Sequence, residues 1–143
     1  MDRIVEFNGK HRFLSNFHKH PVMYQGILYP SNEHAYQASK TLDVHVRRKI
    51  AAAATPGRAK RLGRSVSLRR NWETIKVGIM SELIWTKFTD PELCRMLLAT
   101  GDAVLIEGNS WNDTFWGVCD GKGRNMLGEL LMATRYTINN LCS

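Results

Sequence analysis

The stretch Tyr29-Pro30-Ser31-Asn32-Glu33-His34-Ala35-Tyr36-Gln37-Ala38-Ser39-Lys40 sets a carboxylate, an aromatic, an amide and an amine at helical intervals. Pro30 stops an extended run, and Ser31 can cap a helix by accepting from backbone N–H groups one turn on. With the helix starting there, Glu33, Tyr36 or Gln37, and Lys40 fall near one face. Glu33 sits in the first turn, where the helix dipole favours an ionised carboxylate. One face then presents a fixed negative charge, an aromatic and an amide, and a cation further on. Taken by itself, the spacing favours a plainer picture, a surface helix with a capping acid and a solvated lysine.

Polar residues that folding does not demand gather in loops as well. Ser15 and Asn16 lie between phenylalanines in Arg12–Phe17, and Asp113 lies between Trp111 and Trp116 in Asn109–Gly117. Aromatics beside acids suit a planar ligand, the rings stacking while the carboxylate accepts hydrogen bonds. Core packing is the alternative for the tryptophans. The glycines of Gly121–Gly128 precede a helix, whose exposed amides would suit phosphate. Their spacing is neither Walker nor Rossmann, and a tight turn explains them equally well. The five histidines form no ligand set: His18-x-His20 has no nearby third member, and His34 has no H-E-x-x-H partner. No metal and no redox cofactor are expected. No G-x-S-x-G occurs, and nothing marks Cys119 as an activated nucleophile.

These residues need elements to hold them. Residues 3–7 read as a short strand ending at the Asn8-Gly9 turn, and Phe13–Phe17 as a segment too polar at its centre for the core. Val22–Tyr24 and Ile27–Tyr29 around Gln25-Gly26 read as a hairpin leading into the Ser31-capped helix. A second helix is expected over 44–54. A third starts with Thr55 as cap and Pro56 in its first turn, and Gly63 is expected to end it. Trp72, Ile75, Ile79, Leu83 and Ile84 form an apolar stripe from Asn71 to Phe88, with Lys76 and Lys87 at its edge as snorkelling side chains. Asp90-Pro91-Glu92 starts a helix that Thr100-Gly101-Asp102 ends, with Leu93, Met96 and Leu97 inward. Strands follow at 103–106 and 115–118, then a final helix over 125–138.

At 143 residues, 43% hydrophobic and 23% charged, the chain is expected to form one domain with a real core. No apolar run approaches membrane-spanning length, and the Met1–Glu6 start lacks a signal-peptide plan, so a cytoplasmic protein with no membrane partner is expected. The three cysteines, Cys94, Cys119 and Cys142, are an odd number without a C-x-x-C, and reduced thiols are the expectation. The net charge of +7 implies an anionic partner. No acid lies between Asp43 and Glu73, where arginines and lysines accumulate from Arg47 to Arg70. This block suits phosphate or nucleic acid, and equally a solubilising face.

Several stretches together resemble the NADAR family, also called YbiA-like. They are Phe13-Leu14-Ser15-Asn16-Phe17, Tyr29-Pro30-Ser31-x-Glu33-His34-Ala35-Tyr36-Gln37-Ala38-x-Lys40 and Trp72-x-x-x-Lys76-x-x-x-Met80. Lys87-Phe88, Leu97-Leu98-x-Thr100-Gly101-Asp102, Glu107, Asp113-x-x-Trp116-Gly117 and Gly123-x-Asn125-x-Leu127-Gly128 follow in order. The resemblance implies a helix-rich α+β single domain over 1–143, with a few short strands. It also implies an N-glycosidase acting on the C1–N bond between a ribose and a base. Two substrates are implied: ADP-ribose on guanine in nucleic acid, or a phosphorylated ribosyl intermediate of riboflavin synthesis. The charge leans towards the first. A non-catalytic ADP-ribose-binding module is the competing class, and a plain nucleic-acid binder a weaker third.

Within that reaction class, leaving-group departure builds positive charge at C1, which a carboxylate stabilises. Glu33 is the expected carboxylate, with Asp113 as a second acid positioning water or ribose hydroxyls. Lys40 or Lys87 binds phosphate or forms a Schiff base with the ring-opened sugar. Trp116 stacks on the base or closes the pocket, beside Tyr36 and Gly117. Ser15, Asn16, Asn125 and Gly128 hold ribose or phosphate.

Overall fold

Polar caps and tight turns punctuate the chain into β1 (Arg3–Ile4), a 3-10 helix (Gly9–Leu14), β2 (Val22–Tyr24), β3 (Ile27–Tyr29), α1 (Asn32–Ala38), α2 (Val44–Ala51), α3 (Pro56–Arg64), α4 (Trp72–Lys87), α5 (Pro91–Ala99), β4 (Val104–Leu105) and α6 (Met126–Leu141). The computed structural model describes residues 2–141; the thiol state expected of Cys142 lies outside the described residues. Cys94 and Cys119 are free thiols. The architecture is α+β and helix-rich, with short strands, as the resemblance implies. By packing, the chain divides into two compact units, one of residues 16–87 and one assembled from the two flanking segments. No helix of the described residues is long and apolar enough to cross a membrane.

In the unit 16–87, β2 and β3 pair antiparallel with Val22 opposite Tyr29 and Tyr24 opposite Ile27. Gln25 and Gly26 both adopt positive φ, the conformation that a two-residue hairpin turn of matching twist requires. Alternation sends Val22, Tyr24, Ile27 and Tyr29 inward and leaves Met23 and Leu28 exposed. The caps sit where the sequence puts them: Ser31 accepts from His34 N, and Thr55 from Arg58 N with Pro56 in the first turn. α1 and α4 run antiparallel. Asn32 at the start of α1 donates to the Leu83 carbonyl near the end of α4 at 3.2 Å, while Tyr36 meets Trp72 at its start.

The other unit closes around the parallel pair β1–β4, with Arg3 beside Val104 and Ile4 beside Leu105. Phe7, Phe13, Leu14, Phe88, Leu97, Leu105, Leu127 and Leu131 form its core. Arg135 of α6 fastens the α5–β4 turn, donating to Thr100 Oγ1 and the Ala103 carbonyl, each at 2.8 Å.

Four local expectations change. The first strand is confined to Arg3–Ile4, because a 3-10 helix begins at Gly9 and pulls the chain away. Phe13, Leu14, Ser15 and Asn16 are all buried: the Ser15 N–H bonds to the Arg12 carbonyl, the Asn16 carbonyl accepts from Glu33 N, and the Asn16 side chain meets Met80 Sδ. Gly63 lies inside α3, not at its end. Residues 115–117 form bends, and only Val118 and Cys119 make bridges, with Gly108 and Lys122.

Candidate active site

α1 is no surface helix: every residue from Asn32 to Ala38 is buried. Its start is held from both sides. Glu33 N donates to the Asn16 carbonyl at 3.0 Å, satisfying one of the orphan amides of the first turn. His34 joins Ser31 Oγ through Nδ1 at 2.7 Å and the Ala53 carbonyl through Nε2 at 3.0 Å. A carbonyl only accepts, so Nε2 carries the proton and Nδ1 takes the Ser31 hydroxyl. Burial holds the His34 imidazole below the usual histidine range, against the opposing pull of its bond to Ala53.

On this frame Glu33 is 7% exposed. Gln37, one turn on, donates to Glu33 Oε2 at 2.6 Å. Gln37 is itself pressed in place by α3, where Gly63 leaves no room for a side chain: a Cβ there would run into Gln37 Oε1. The remaining contacts would be 2.7 Å to Gln37 Cδ and 3.0 Å to its Cβ.

Lys40 follows the end of α1 and is half-buried, its Nζ 5.9 Å from the Tyr36 ring centre. Tyr36 packs on Trp72 at 5.4 Å between ring centres, tilted by 51°. Burial pushes the Lys40 amine below the usual lysine range, the Glu33 carboxylate pulls it back up, and Lys60, Arg64 and Lys76 push it down. Three helices therefore bring their charges to one place. α1 contributes Glu33 with Lys40 just past its end, α3 contributes Lys60 and Arg64, and α4 contributes Lys76 beside Trp72. Lys60 Nζ also stands 5.9 Å from the Phe17 ring.

Lys60, Arg64 and Lys76 are functional candidates that sequence reading alone passes over. Lys60 and Arg64 merge into the basic block, yet they stand one helical turn apart on α3, as do Trp72 and Lys76 on α4. That paired spacing was the available signal. Lys76 also reaches Glu73 at 2.9 Å, on the exposed edge.

Asn16 joins this set through its backbone, and its Nδ2 contacts Met80 Sδ at 3.4 Å. Lys87 lies three turns beyond Lys76 along α4, roughly 16 Å at the helical rise, and is buried rather than snorkelling. Ser15 is buried too, in the other unit, its N–H on the Arg12 carbonyl.

The remaining expected residues belong to that other unit. Asp113 Oδ1 accepts from Phe115 N at 3.2 Å and Trp116 N at 2.9 Å, so this carboxylate shapes the loop that presents Trp116. Phe115 and Trp116 stack edge to face, and Arg124 lies 5.1 Å over Phe115. Asn125 Oδ1 accepts from Glu107 N and its Nδ2 donates to the Leu105 carbonyl, both at 2.9 Å. The amides of Arg124 to Leu127 bond to the carbonyls of Thr114, Phe115, Trp116 and Gly117, which fills the amide positions expected to meet phosphate. Gly117 and Gly128 are close-packing positions against Glu107 and Leu105 carbonyls. Among the described residues, no three His, Cys, Asp or Glu side chains gather as metal ligands would.

The model of the NADAR domain family matches residues 6–139, spanning segments of both units. This chain belongs to the NADAR family. An N-glycosidase named YbiA from Escherichia coli is 42% identical over 141 residues, covering 94% of this chain and 88% of its own length. An N-glycosidase of Nostoc punctiforme is 43% identical over 136 residues, covering 90% of this chain and 86% of its own. A riboflavin biosynthesis protein of Vibrio vulnificus is 41% identical over 134 residues, which cover 91% of this chain but 36% of that protein. The NMR structure of E. coli YbiA superposes with a TM-score of 0.85 at 37% identity, covering 98% of this NADAR chain and 87% of that one.

Proposed function

We propose that the protein is an N-glycosidase that breaks the C1–N bond between a phosphorylated ribose and a base. The observation that carries this reading is the pairing of a buried, amide-held carboxylate, Glu33, with a half-buried lysine, Lys40, on which Lys60, Arg64 and Lys76 also act. Departure of the base leaves C1 electron-poor, and Glu33 is positioned to stabilise that charge without reorganising. Lys60, Arg64 and Lys76 supply counter-charge to phosphate, which binds the sugar without taking part in bond breaking. Tyr36 over Trp72 offers an aromatic wall for the sugar or base.

Lys40 is the amine of choice for covalent catalysis, because its depressed pKa raises the neutral, nucleophilic fraction. In the ring-opened sugar C1 is still joined to the base nitrogen as an iminium; the Lys40 nitrogen adds to C1, and the base departs with a proton from the lysine, leaving a lysine imine. Water then hydrolyses the imine and frees the lysine. Lys87, buried at the far end of α4, serves packing in this scheme. Asp113 acts by setting the Trp116 loop.

For the substrate we favour ADP-ribose carried on guanine in nucleic acid. The net charge of +7 and the acid-free run from Val44 to Trp72 suit a polyanion. The second reading is a phosphorylated ribosyl intermediate of riboflavin synthesis, favoured by the name of the Vibrio relative. Incubation with each substrate side by side, following released base and released ADP-ribose or ribose phosphate, separates the two. Turnover of neither, with tight ADP-ribose binding, would make the domain a binding module instead.

A further inference from the structure

A concavity lies between α2 and α3, formed by other residues than Glu33 and its cations. It encloses about 370 Å³ over an aliphatic floor of Val46, Ile50, Leu62 and Val66, with Asp43 and Lys49 at its edge. Three large apolar side chains next to lining residues in the chain are exposed: Leu42 at 65%, Val44 at 51% and Leu68 at 56%. Arg69 N donates to the Lys40 carbonyl at 2.8 Å and its Nη1 reaches the Ser39 carbonyl at 3.4 Å. This clamp ties the segment next to Leu68 to the segment next to Leu42, and each leucine neighbours a lining residue. Single exposed leucines are ordinary, but a group of them around an apolar-floored cavity is an interaction patch. Lys49 and Asp43 are the charged lining residues; Arg48, Arg58, Arg61 and Arg70, close to lining residues in the chain, are exposed, and no acid lies between Asp43 and Glu73.

We infer that this mouth docks an acidic peptide segment of a partner protein, seating an aliphatic side chain in the cavity. The aliphatic floor takes the anchor, as the buried centre of an interface does. The surrounding cations steer and hold the acidic flanks. Among the described residues, no aromatic side chain lines the cavity. Bases of single-stranded nucleic acid bind on aromatic platforms, and a free phosphate needs no apolar floor, so neither fits this mouth as well.

The test uses the full chain and a fluorescein-labelled peptide with two leucines set among glutamates, followed by anisotropy at physiological salt. Saturable binding is expected, weakened at least about tenfold by Lys49→Glu and by the double variant Leu42→Ser/Leu68→Ser. The leucine-free peptide should bind at least about tenfold more weakly, and melting temperature should stay unchanged in the double variant. Equal binding of the leucine-free peptide, or no saturable binding, overturns the proposal. So does an oligonucleotide of equal charge whose binding the leucine changes weaken as much as they weaken the peptide's. Concentration-dependent dimerisation abolished by the leucine changes would give the patch to a second copy of the chain and would also overturn it.

Discussion

Replacing Gly63 with alanine puts a methyl group where the Gln37 side chain already lies, although both residues sit on helices and alanine is the better helix former. The new Cβ would overlap Gln37 Oε1 and stand 2.7 Å from Cδ and 3.0 Å from Cβ. The end of the Gln37 side chain can swing away, but its Cβ is fixed to α1, so the helices must also part slightly. Swinging the amide away breaks its 2.6 Å bond to Glu33 Oε2. Loss of a buried hydrogen bond to a charged group costs about 1.5–3 kcal/mol. Overpacking adds about 1–3 kcal/mol, while the gain in helix propensity returns about 1 kcal/mol. The balance is a destabilisation of about 1.5–5 kcal/mol, or roughly 5–17 °C in melting temperature for a chain of this length. Turnover should fall on the order of 100-fold, because Glu33 loses the group that fixes its direction. Calorimetry and steady-state kinetics read the two effects separately. Adding Gln37→Ala to Gly63→Ala should recover much of the stability but none of the turnover. A Gly63→Ala protein with wild-type melting temperature and kcat would refute the claim that α3 aligns the carboxylate through Gln37.

Other expectations follow from the same geometry. Glu33→Gln should keep the fold and lower kcat on the order of 10²–10³-fold, and a fully active variant would remove Glu33 from the chemistry. Arg64→Ala should raise KM for the phosphorylated substrate about tenfold with kcat little changed, equivalent to about 1.4 kcal/mol of binding. Lys40 titrates lower in the folded chain than in the unfolded one, so the unfolded chain holds more protons between those two pKa values and stability rises with pH there. Lys40→Met should therefore melt higher at neutral pH, yield no borohydride-trapped adduct and lose turnover; a trapped adduct in that variant would move the nucleophile elsewhere. The depressed His34 pKa gives stability that is full above the usual histidine value of 6.5 and declines as pH falls through the folded value. Denaturant midpoints from pH 7 to 5 should show this decline, and His34→Gln should flatten it.

Much of the local structure was legible because local groups decide it. The Ser31, Thr55 and Asp90 caps and the Gln25-Gly26 turn act on amides a few residues away, so the residue types announce them. Glu33 was legible for the same reason, as a first-turn acid in a patterned stretch. Gly63 has the local look of a helix end, but its neighbour is Gln37, a contact across helices that no local signal carries. The burial of α1 is not legible in the sequence because its polar residues find partners on Asn16, Leu83 and Ala53, distant in sequence. Lys60 and Arg64 were visible as charge but not as direction: only the packing of α3 on α1 turns them towards Lys40. Asn125 looked like a ligand group, whereas its amide spans Leu105 and Glu107.

The pairing of β1 with β4 has a consequence for how the molecule is made. Arg3 leaves the ribosome about a hundred residues before its partner Val104, so at typical elongation rates the first strand waits about 5–20 s for the second. During that interval residues 16–87 are already complete and can pack around Glu33, while the opening segment holds Phe7 and Phe13 without their eventual core. Birth order thus runs against the order of the polypeptide: the middle can mature first, and the beginning must wait for the end.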